Sequence, residues 1–353
     1  MLWIFYCLTA VYALTTILPM TSFKHYLVRG WDFPRLQLAV TGCMLIAVNI
    51  AIYLLTLSIA SMICLLVTLS CIIWQIWWII PYTKLHSKEV QTSAAVQTHH
   101  CELSIMSANV LQPNKNYQGL INLVKKHGPD ILVTLETDQV WEKNLTTLEA
   151  QLPYTVKCPL DNLYGMHVYS AIDFDKFDVQ FLIEDDVPSV HCHIRLNGQP
   201  VRLHFMHPAP PSPNENKTSL ERDKELILLA KSVAEHDVPT VVAGDLNDVA
   251  WSPTTRLFRK ISGLLDPRIG RGMFNTFHTH YWFARWPLDH LFHSHHFTLK
   301  RIQRLPSIGS DHFPLLTSLV YHPQQNSNAE GVGADRKDHE NADELLDENE
   351  KGK

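Results

Sequence analysis

The first 83 residues alternate between long uncharged stretches and one short polar segment. Residues 1–20 and 36–83 contain no charged side chain, and the segment between them contains four: Lys24, Arg29, Asp32 and Arg35. At about 1.5 Å per helical residue, residues 36–83 would extend roughly 72 Å, more than twice the ~30 Å hydrocarbon core of a bilayer. This stretch must therefore fold back, and we expect the turn at Thr56-Leu57-Ser58. The pattern predicts a membrane domain over residues 1–82 with three transmembrane helices, at about 2–20, 36–56 and 59–82.

The basic residues next to these spans predict an orientation. Two spans separate the first loop from the chain after the third span, so both lie on the same side of the membrane. All the basic residues that flank the spans fall on that side: Lys24, Arg29, Arg35, Lys84 and Lys88. Because cytoplasmic loops are enriched in Lys and Arg, we predict a multi-pass protein of the cell or inner membrane. Residues 84–353 are then cytoplasmic, with the opposite side as the alternative.

From Glu102 onward, short apolar runs alternate with amphipathic stretches. The clearest are strands at 103–110, 129–137 and 238–248 and helices at 117–127 and 218–236. Strands and helices mixed in this way indicate an α/β sandwich over residues 102–321. Residues 83–101 lack such a pattern and are interpreted as a linker. Residues 322–353 are polar and acidic, which is typical of a disordered tail.

Composition narrows the function classes. Hydrophobic residues make up 46% of the chain and charged residues 18%, so global disorder is excluded. The net charge is +2 for residues 1–83, −2 for 84–323 and −5 for 324–353. A nearly neutral middle region excludes a wholesale basic surface for nucleic acid. The seven cysteines form no CxxC pair, which excludes a disulfide scaffold and a cysteine-rich zinc module.

Polar side chains fall at the ends of the predicted strands. They are Asn109, Glu136, His207, Asp245, Asn247, Asp289, Asp311 and His312. Strand ends on one edge of a sheet converge, so we expect these side chains to share one pocket. Carboxylate and amide oxygens are hard ligands for a divalent cation, and histidines transfer protons. Magnesium needs only one or two carboxylates besides water and substrate phosphate, which suits so few acids.

Five motifs carry a resemblance to a known superfamily. They are Ser107-Ala108-Asn109-Val110, Leu135-Glu136-Thr137, Gly244-Asp245-Leu246-Asn247, Leu288-Asp289-His290 and Gly309-Ser310-Asp311-His312. Their order resembles that of the DNase I-like endonuclease/exonuclease/phosphatase superfamily, over about residues 102–321. The resemblance implies a DNase I-like four-layer α/β sandwich, two packed mixed sheets flanked by helices, preceded here by the three transmembrane helices. It also implies a metal-dependent hydrolase that cleaves a phosphodiester or a phosphomonoester.

The resemblance also implies roles for the metal ligands and the general base. Glu136 is similar to the principal metal ligand, with Asn109 beside it and Asp311 completing the metal shell or orienting the phosphate. The implied metal is Mg²⁺, with Mn²⁺ as the alternative. His312 is similar to the general base that activates the attacking water. Asp289 would hold that imidazole in its productive tautomer.

Further roles concern the nucleophile, the leaving group and the substrate. Asp245 and Asn247 resemble the pair that positions the nucleophile and hydrogen-bonds the phosphoryl oxygens. His207 occupies the place of a residue that helps the leaving group depart, and Asp186 is predicted to support it. Arg285 lies in a basic, aromatic stretch and is predicted to bind the phosphorylated substrate. The alternative for that stretch is a solvated face with scattered charges.

Two alternatives concern metal and substrate. The histidine-rich segment His290, His293, His295 and His296 raises the question of zinc, but on a strand this spacing alternates faces, so we expect no zinc site. The substrate stays open between nucleic acid and a lipid headgroup, as in a phospholipid or sphingomyelin-type phosphodiesterase. Membrane tethering favours the lipid, and the nearly neutral domain weakens attraction to polyanions.

An inactive membrane scaffold is the alternative from another class. Its expected signature, a missing motif acid or histidine, is not found in this sequence. The predicted partners are therefore a phosphate-ester substrate and the lipid bilayer, and no obligate protein partner is evident.

Overall fold

The computed structural model describes residues 2–93, 101–322 and 331–348. The chain begins with a helical region made of α1 (Leu2–Ile17), the short α2 (Tyr26–Arg29), α3 (Arg35–Thr56) and α4 (Ile59–Ile79). Together with their adjoining 3₁₀ turns, three of these helices are long and apolar enough to cross a membrane: Leu2–Met20, Arg35–Thr56 and Ile59–Tyr82. The turn between the last two is at the predicted place, where Leu57 adopts a left-handed backbone conformation with φ 46°.

The three long helices pack through polar side chains. Asn49 on α3 donates to Thr9 on α1 (3.2 Å) and to Thr68 on α4 (2.9 Å). Gln75 donates to Thr16 (3.1 Å), which adds a second link between α4 and α1. All of these side chains are buried, whereas many leucines and isoleucines of the same helices are exposed. Polar groups inside and apolar groups outside are what helices surrounded by lipid need.

Residues 102–321 form two sheets. The first has six strands in the order β10-β11-β1-β2-β4-β3. In chain order these are β1 (Glu102–Asn109), β2 (Ile131–Leu135), β3 (Tyr154–Cys158), β4 (Met166–Ser170), β10 (Phe297–Arg304) and β11 (Leu315–Tyr321). The central strands β1 and β2 are parallel, and the other pairs are antiparallel, so the sheet is mixed.

The second sheet has five strands in chain order. They are β5 (Lys176–Gln180), β6 (Ser189–Leu196), β7 (Gln199–Met206), β8 (Thr240–Asp245) and β9 (Asp289–His293). Only β7 and β8 are parallel. A parallel pair needs a crossover connection, and the helix α7 (Leu220–Ala234) provides it.

The two sheets pack face to face, and helices cover their outer faces. The core between the sheets is built of aliphatic side chains such as Ile105, Val133, Leu203 and Val241. The helices α5 (Tyr117–His127) and α6 (Gln139–Leu145) pack on the first sheet, and α7 and α8 (Pro253–Ser262) pack on the second. The predicted four-layer sandwich of two mixed sheets is confirmed.

Two predicted boundaries need correction. The interpretation of residues 322–353 as a disordered tail is wrong for α9 (Arg336–Asp347), which packs Ala342 against α7 and α8 and pairs Asp338 with Lys260 (2.8 Å). The interpretation of residues 83–101 as a linker is wrong for residues 83–93, because Val90 is buried in the core and Glu89 pairs with Arg259. Tertiary contacts outweigh the polar composition in both segments. Residues 94–100 of the predicted linker lie outside the described residues.

The helical region and the sandwich meet at a well-packed junction. The indole of Trp251 donates to the carbonyl of Asp32 (2.7 Å), and the hydroxyl of Tyr82 donates to the carbonyl of Ala250 (2.6 Å). Ala39 and Ile79 of the long helices join the same apolar cluster. The ends of α3 and α4 are therefore fixed directly to the sandwich.

Candidate active site

The candidate site lies where strands of both sheets end. Asn109 is the last residue of β1, and Glu136 directly follows the parallel strand β2. In the second sheet, His207 follows β7 and Asp245 ends the parallel strand β8, directly opposite Asp289, the first residue of β9. Parallel strands bring their carboxyl ends to one edge, so the side chains predicted from the sequence meet there.

Local backbone geometry shapes this edge. Gly244 has φ 143°, and a Cβ there would lie 2.0 Å from the carbonyl oxygen of Met206, so only glycine fits beside β7. Glu136 and Asn247 both adopt left-handed conformations, with φ 60° and 50°. Such conformations cost free energy in residues other than glycine and cluster at functional sites. Both strained residues lie in the motifs that the sequence singled out.

The carboxylate of Glu136 has one paired and one unpaired oxygen. Oε1 accepts a hydrogen bond from Asn109 Nδ2 (2.7 Å), while Oε2 is buried and, among the described residues, has no partner. Burial, together with the nearby Asp311 and Asp245, raises the pKa of this carboxyl to about 7, although the Asn109 hydrogen bond and the charge of His312 oppose the rise. A buried carboxylate oxygen without a partner fits a divalent cation, which prefers hard oxygen ligands.

Asn109 links the acids of the two sheets. Its Nδ2 also contacts Asp245 Oδ2 (3.3 Å), and its Oδ1 accepts from the backbone N–H of Leu111 (3.1 Å). Asp311 lies next to His312 and close enough to act electrostatically on Glu136. The hydrogen bond therefore places Asn109 beside Glu136, whereas, among the described residues, Asp311 acts on Glu136 only through its charge.

His312 is held between two carboxylates. Its Nδ1 donates to Asp289 Oδ2 (2.7 Å), which leaves Nε2 facing Asp245 Oδ2 at 3.4 Å. A nitrogen and carboxylate oxygens of these three buried residues lie within 4.8 Å of one another. The predicted Asp289–His312 pair is therefore present as a contact, with the tautomer fixed by Asp289.

The carboxylates around His312 raise the pKa of its imidazole more than burial lowers it. Burial lowers the pKa of the imidazole, but Asp245, Asp289 and Asp311 raise it, with a net result of about 10. The ring of Phe277 covers the imidazole at a centroid distance of 4.9 Å. Sequence reasoning missed Phe277, since an aromatic residue in a loop carries no signal of what it covers.

His207 approaches the same carboxylate from the other side. Its Nε2 lies 4.0 Å from Asp245 Oδ2, and its ring lies 5.3 Å from that of Tyr164. Burial lowers the pKa of His207 to about 4, so the imidazole is neutral at physiological pH. Asp245 therefore stands between His207 and His312.

Two predicted residues make other contacts. Asp186 is exposed and accepts from Asn162 through its backbone carbonyl (2.8 Å) and its carboxylate (3.4 Å), so the structure pairs it with Asn162. Among the described residues, no contact joins Asp186 to His207, so the structure does not support the predicted role of Asp186. The guanidinium of Arg285 donates to the carbonyls of His278 (3.2 Å) and Thr279 (3.0 Å). These bonds brace a loop and leave fewer donors for a phosphate.

Asn247 has its own supports. Its backbone N–H donates to Asp245 Oδ1 (2.9 Å), and its side chain donates to the carbonyl of Pro208 (3.0 Å). Arg222 on α7 donates to the carbonyl of Asn247 (2.7 Å) and was missed, because in the sequence it is one charged residue of an amphipathic helix.

The histidine-rich segment divides into two pairs. His290 and His293 are buried, and His290 contacts Arg268 (2.7 Å) and the carbonyl of Asp248 (2.9 Å). His295 and His296 lie near the surface, each 3.8 Å from Asp237. The four histidines therefore do not converge on one ion.

A buried His–Asp pair, a carboxylate with an unpaired oxygen and a second, neutral histidine therefore occupy this edge of the two sheets. Residues 106–312 match the model of the Endonuclease/Exonuclease/phosphatase family. Because the match covers more than half of the chain, the protein belongs to this family and is a hydrolase acting on phosphoester bonds, and the resemblance seen in the motifs is confirmed. No curated protein matches the chain.

Solved structures agree on the fold. TDP2 of D. rerio in complex with a single-strand DNA product has a TM-score of 0.51 and 16% identity, with 62% of this chain and 98% of that chain covered. A family protein from Bacteroides thetaiotaomicron has a TM-score of 0.51 and 19% identity, with 64% and 98% covered. Humanized D. rerio TDP2 has a TM-score of 0.50 and 17% identity, with 62% and 99% covered. At these identities the likeness establishes the fold.

Proposed function

We propose that the protein is a membrane-tethered, divalent-metal-dependent phosphoesterase that uses a water molecule as the nucleophile. The observation that carries the proposal is the arrangement of His312, whose Nδ1 is bound by Asp289 (2.7 Å) while Nε2 lies 3.4 Å from Asp245 Oδ2. This is the geometry that a general base needs, since its second nitrogen is fixed by an acceptor.

In this mechanism His312 Nε2 accepts a proton from water as the water oxygen bonds to phosphorus. The bond between phosphorus and the leaving oxygen breaks, and the leaving oxygen departs with the electron pair. Asp289 stabilises the imidazolium of His312 that results. Asp245 and Asn247 position the water and the phosphoryl oxygens. The neutral His207 donates a hydrogen bond to the leaving oxygen, as its lowered pKa allows.

The metal ligands in this proposal are Glu136 with Asn109 beside it, and Asp311 would complete the metal shell. Mg²⁺ fits the oxygen-rich donor set, and Mn²⁺ is the alternative. A bound cation supplies positive charge that offsets the carboxylates and the charge developing on the phosphate. With the carboxylates offset, His312 is expected to be neutral, as a base must be.

The test uses the full chain in phospholipid nanodiscs with bis-p-nitrophenyl phosphate and p-nitrophenyl phosphate. We expect hydrolysis in Mg²⁺ and its loss in EDTA, with recovery when Mg²⁺ or Mn²⁺ is restored. The two esters separate phosphodiesterase from phosphomonoesterase activity. Unchanged activity in EDTA would contradict the proposal, as would the absence of activity on a wider panel of DNA, RNA and phospholipids.

Tethering and sidedness are tested separately. The proposal places residues 2–82 across the membrane and the sandwich in the cytoplasm, supported by the apolar helices and the flanking basic residues. A reporter fused after Lys353 should be active in the cytoplasm. Activity only on the other side would reverse the orientation and leave the catalytic proposal intact.

A further inference from the structure

A loop beside the candidate site exposes three aromatic residues in succession. Phe277 and Trp286 pair through their backbones, and the intervening residues 278–285 form a hairpin that we name the aromatic loop. At its tip, Tyr281, Trp282 and Phe283 are 52%, 80% and 58% exposed. Large side chains are seldom left open to water in an unbroken run, so the tip is suited to an apolar or interfacial environment.

The base of the aromatic loop is part of the wall of the site. Phe277, at its start, covers the imidazole of His312. The backbone N–H of Thr279 donates to the carbonyl of Asp311 (2.8 Å), and its hydroxyl donates to the carbonyl of Ser310 (2.8 Å). The loop is therefore anchored on the motif that carries the general base.

The tip of the aromatic loop lies against the first turn of a long apolar helix. Gln37 is the third residue of α3, and its Nε2 donates to the carbonyl of Phe283 (2.7 Å). Phe33, just before α3, packs on Trp286 at the base of the loop (5.8 Å between ring centroids). Two helical residues rise only about 3 Å. The tip thus lies level with the start of the span, where lipid headgroups meet the hydrocarbon.

The residue types of the aromatic loop favour binding to lipid over binding to nucleic acid. Tryptophan and tyrosine prefer the interface between headgroups and acyl chains, and buried aromatic surface strengthens interfacial binding. Exposed aromatic residues also stack on bases, but such platforms combine them with free cationic groups that follow the phosphates. Here the only Lys or Arg of the loop is Arg285, and its guanidinium is bonded to the loop carbonyls.

We propose that Tyr281, Trp282 and Phe283 insert into the membrane interface beside α3, and that the site takes an amphiphilic lipid phosphate ester from that surface. This inference rests on the proposed function. In this proposal the tip binds the membrane surface, and the residues of the candidate site carry out the hydrolysis. The membrane that holds the spans is also the source of the substrate.

The kinetic test compares two esters in the same full-length protein. Nanodiscs of phosphatidylcholine, phosphatidylethanolamine and phosphatidylglycerol in roughly equal parts supply the lipid ester, and bis-p-nitrophenyl phosphate is the soluble ester. The double variant Trp282→Ser/Phe283→Ser should lower the ratio of lipid to soluble hydrolysis about tenfold, since interfacial binding scales with buried apolar area. The control is Phe177→Ser, a 55% exposed aromatic on β5, which should leave the ratio unchanged.

The outcomes separate this inference from the proposed function. An equal loss on both esters, or no loss on either, would overturn the docking role. Soluble hydrolysis without any lipid hydrolysis would also overturn it and leave the proposed function standing. Cleavage of single-stranded DNA that depends on Trp282 would identify a base-stacking platform instead. If the protein hydrolyses none of these esters in Mg²⁺, the proposed function itself fails.

A second measurement needs no turnover. In nanodiscs with brominated acyl chains, the parent protein should show quenching that is measurably smaller in Trp282→Tyr, because bromine quenches only nearby indoles. Identical quenching in the two proteins would overturn the insertion of the tip, whatever the activity.

Discussion

The helical region and the sandwich both bury polar side chains, but they use them differently. In the helical region, Asn49 is buried with two hydrogen-bond partners on neighbouring helices. At the site, Glu136, Asp289 and His207 each keep one buried side-chain atom without a partner among the described residues. A satisfied buried group stabilises the fold, whereas an unsatisfied one costs stability and leaves an atom available to a ligand. Within the part of the chain that the structure describes, Tyr12 and Trp74 of the helical region also keep a buried polar atom without a partner, so what distinguishes the site is that its unpaired atoms belong to acids and a histidine gathered at one edge of the two sheets.

The largest effect is expected at the His312–Asp289 pair. His312→Ala should lower kcat by roughly a hundredfold to ten-thousandfold, as loss of a general base does, and Asp289→Asn should lower kcat with little change in KM. Because both act through one imidazole, the double variant should be far less impaired than the sum of the single effects predicts. Steady-state kinetics of the four proteins measure this. Additive effects on log kcat would show that the two residues work separately.

Glu136→Gln should separate activity from stability. The change keeps the shape but removes the charge expected to bind the cation, so activity should fall by roughly a hundredfold or more. Metal-free stability should not fall, because a buried carboxylate with an unpaired oxygen is replaced by a neutral amide. Thermal unfolding in EDTA and turnover in Mg²⁺ provide the two readouts. Glu142→Gln, on α6, is the matched control: it should leave activity unchanged and lower stability by less than about 1 kcal/mol, because its ion pair with Lys157 (3.6 Å) lies near the surface.

Glu225, a buried acid outside the site, allows the stability cost of an unpaired polar group to be measured through its dependence on pH. Burial, with a smaller contribution from the charge of Glu184, raises the pKa of Glu225 on α7 to about 8. The folded protein then keeps a proton that the unfolded chain releases near its ordinary pKa, so stability is lost as pH rises from about 4.5 to 8. Glu225→Gln should remove this loss and add roughly 4 kcal/mol at pH 8. Unfolding free energies of both proteins at pH 5 and 8 test this.

The smallest effect is expected in the helical region. Asn49→Ala removes two hydrogen bonds between helices, and such bonds contribute about 0.6 to 2 kcal/mol in membranes. Resistance to unfolding by SDS should fall by that order, and hydrolysis per folded molecule should not change. A loss of hydrolysis per folded molecule would mean that Asn49 contributes to the reaction as well as to the packing of the helices.

Much of the site could be predicted because its residues follow apolar runs. Asn109, Glu136 and Asp245 each end a stretch that reads as a buried strand, so topology alone brings them to one edge. Asp186 could not be placed in the same way, because its partner Asn162 lies in another loop. The direction of the Arg285 side chain was also invisible in the sequence.

The fold beyond the site shows the same limit. The acidic composition of the last residues suggested disorder. In the structure, however, Asp338 forms an ion pair with Lys260, and Glu348 forms one with Lys24, which follows the first long helix. Such pairings depend on which surfaces the fold brings together. The composition of a single segment cannot predict ion pairs with residues that are distant in the sequence.

The position of β1 has a consequence for how the protein is made. This central strand pairs with β2, which follows it closely, and with β11, the last strand of the sheet to be synthesised. At about 5–20 residues per second, β1 waits roughly 10 to 40 seconds for that partner. During this time a row of unpaired backbone groups on an apolar strand stays open. Slow elongation therefore favours mispairing between nascent chains, and the yield of active protein should depend on the chaperones that shield that edge.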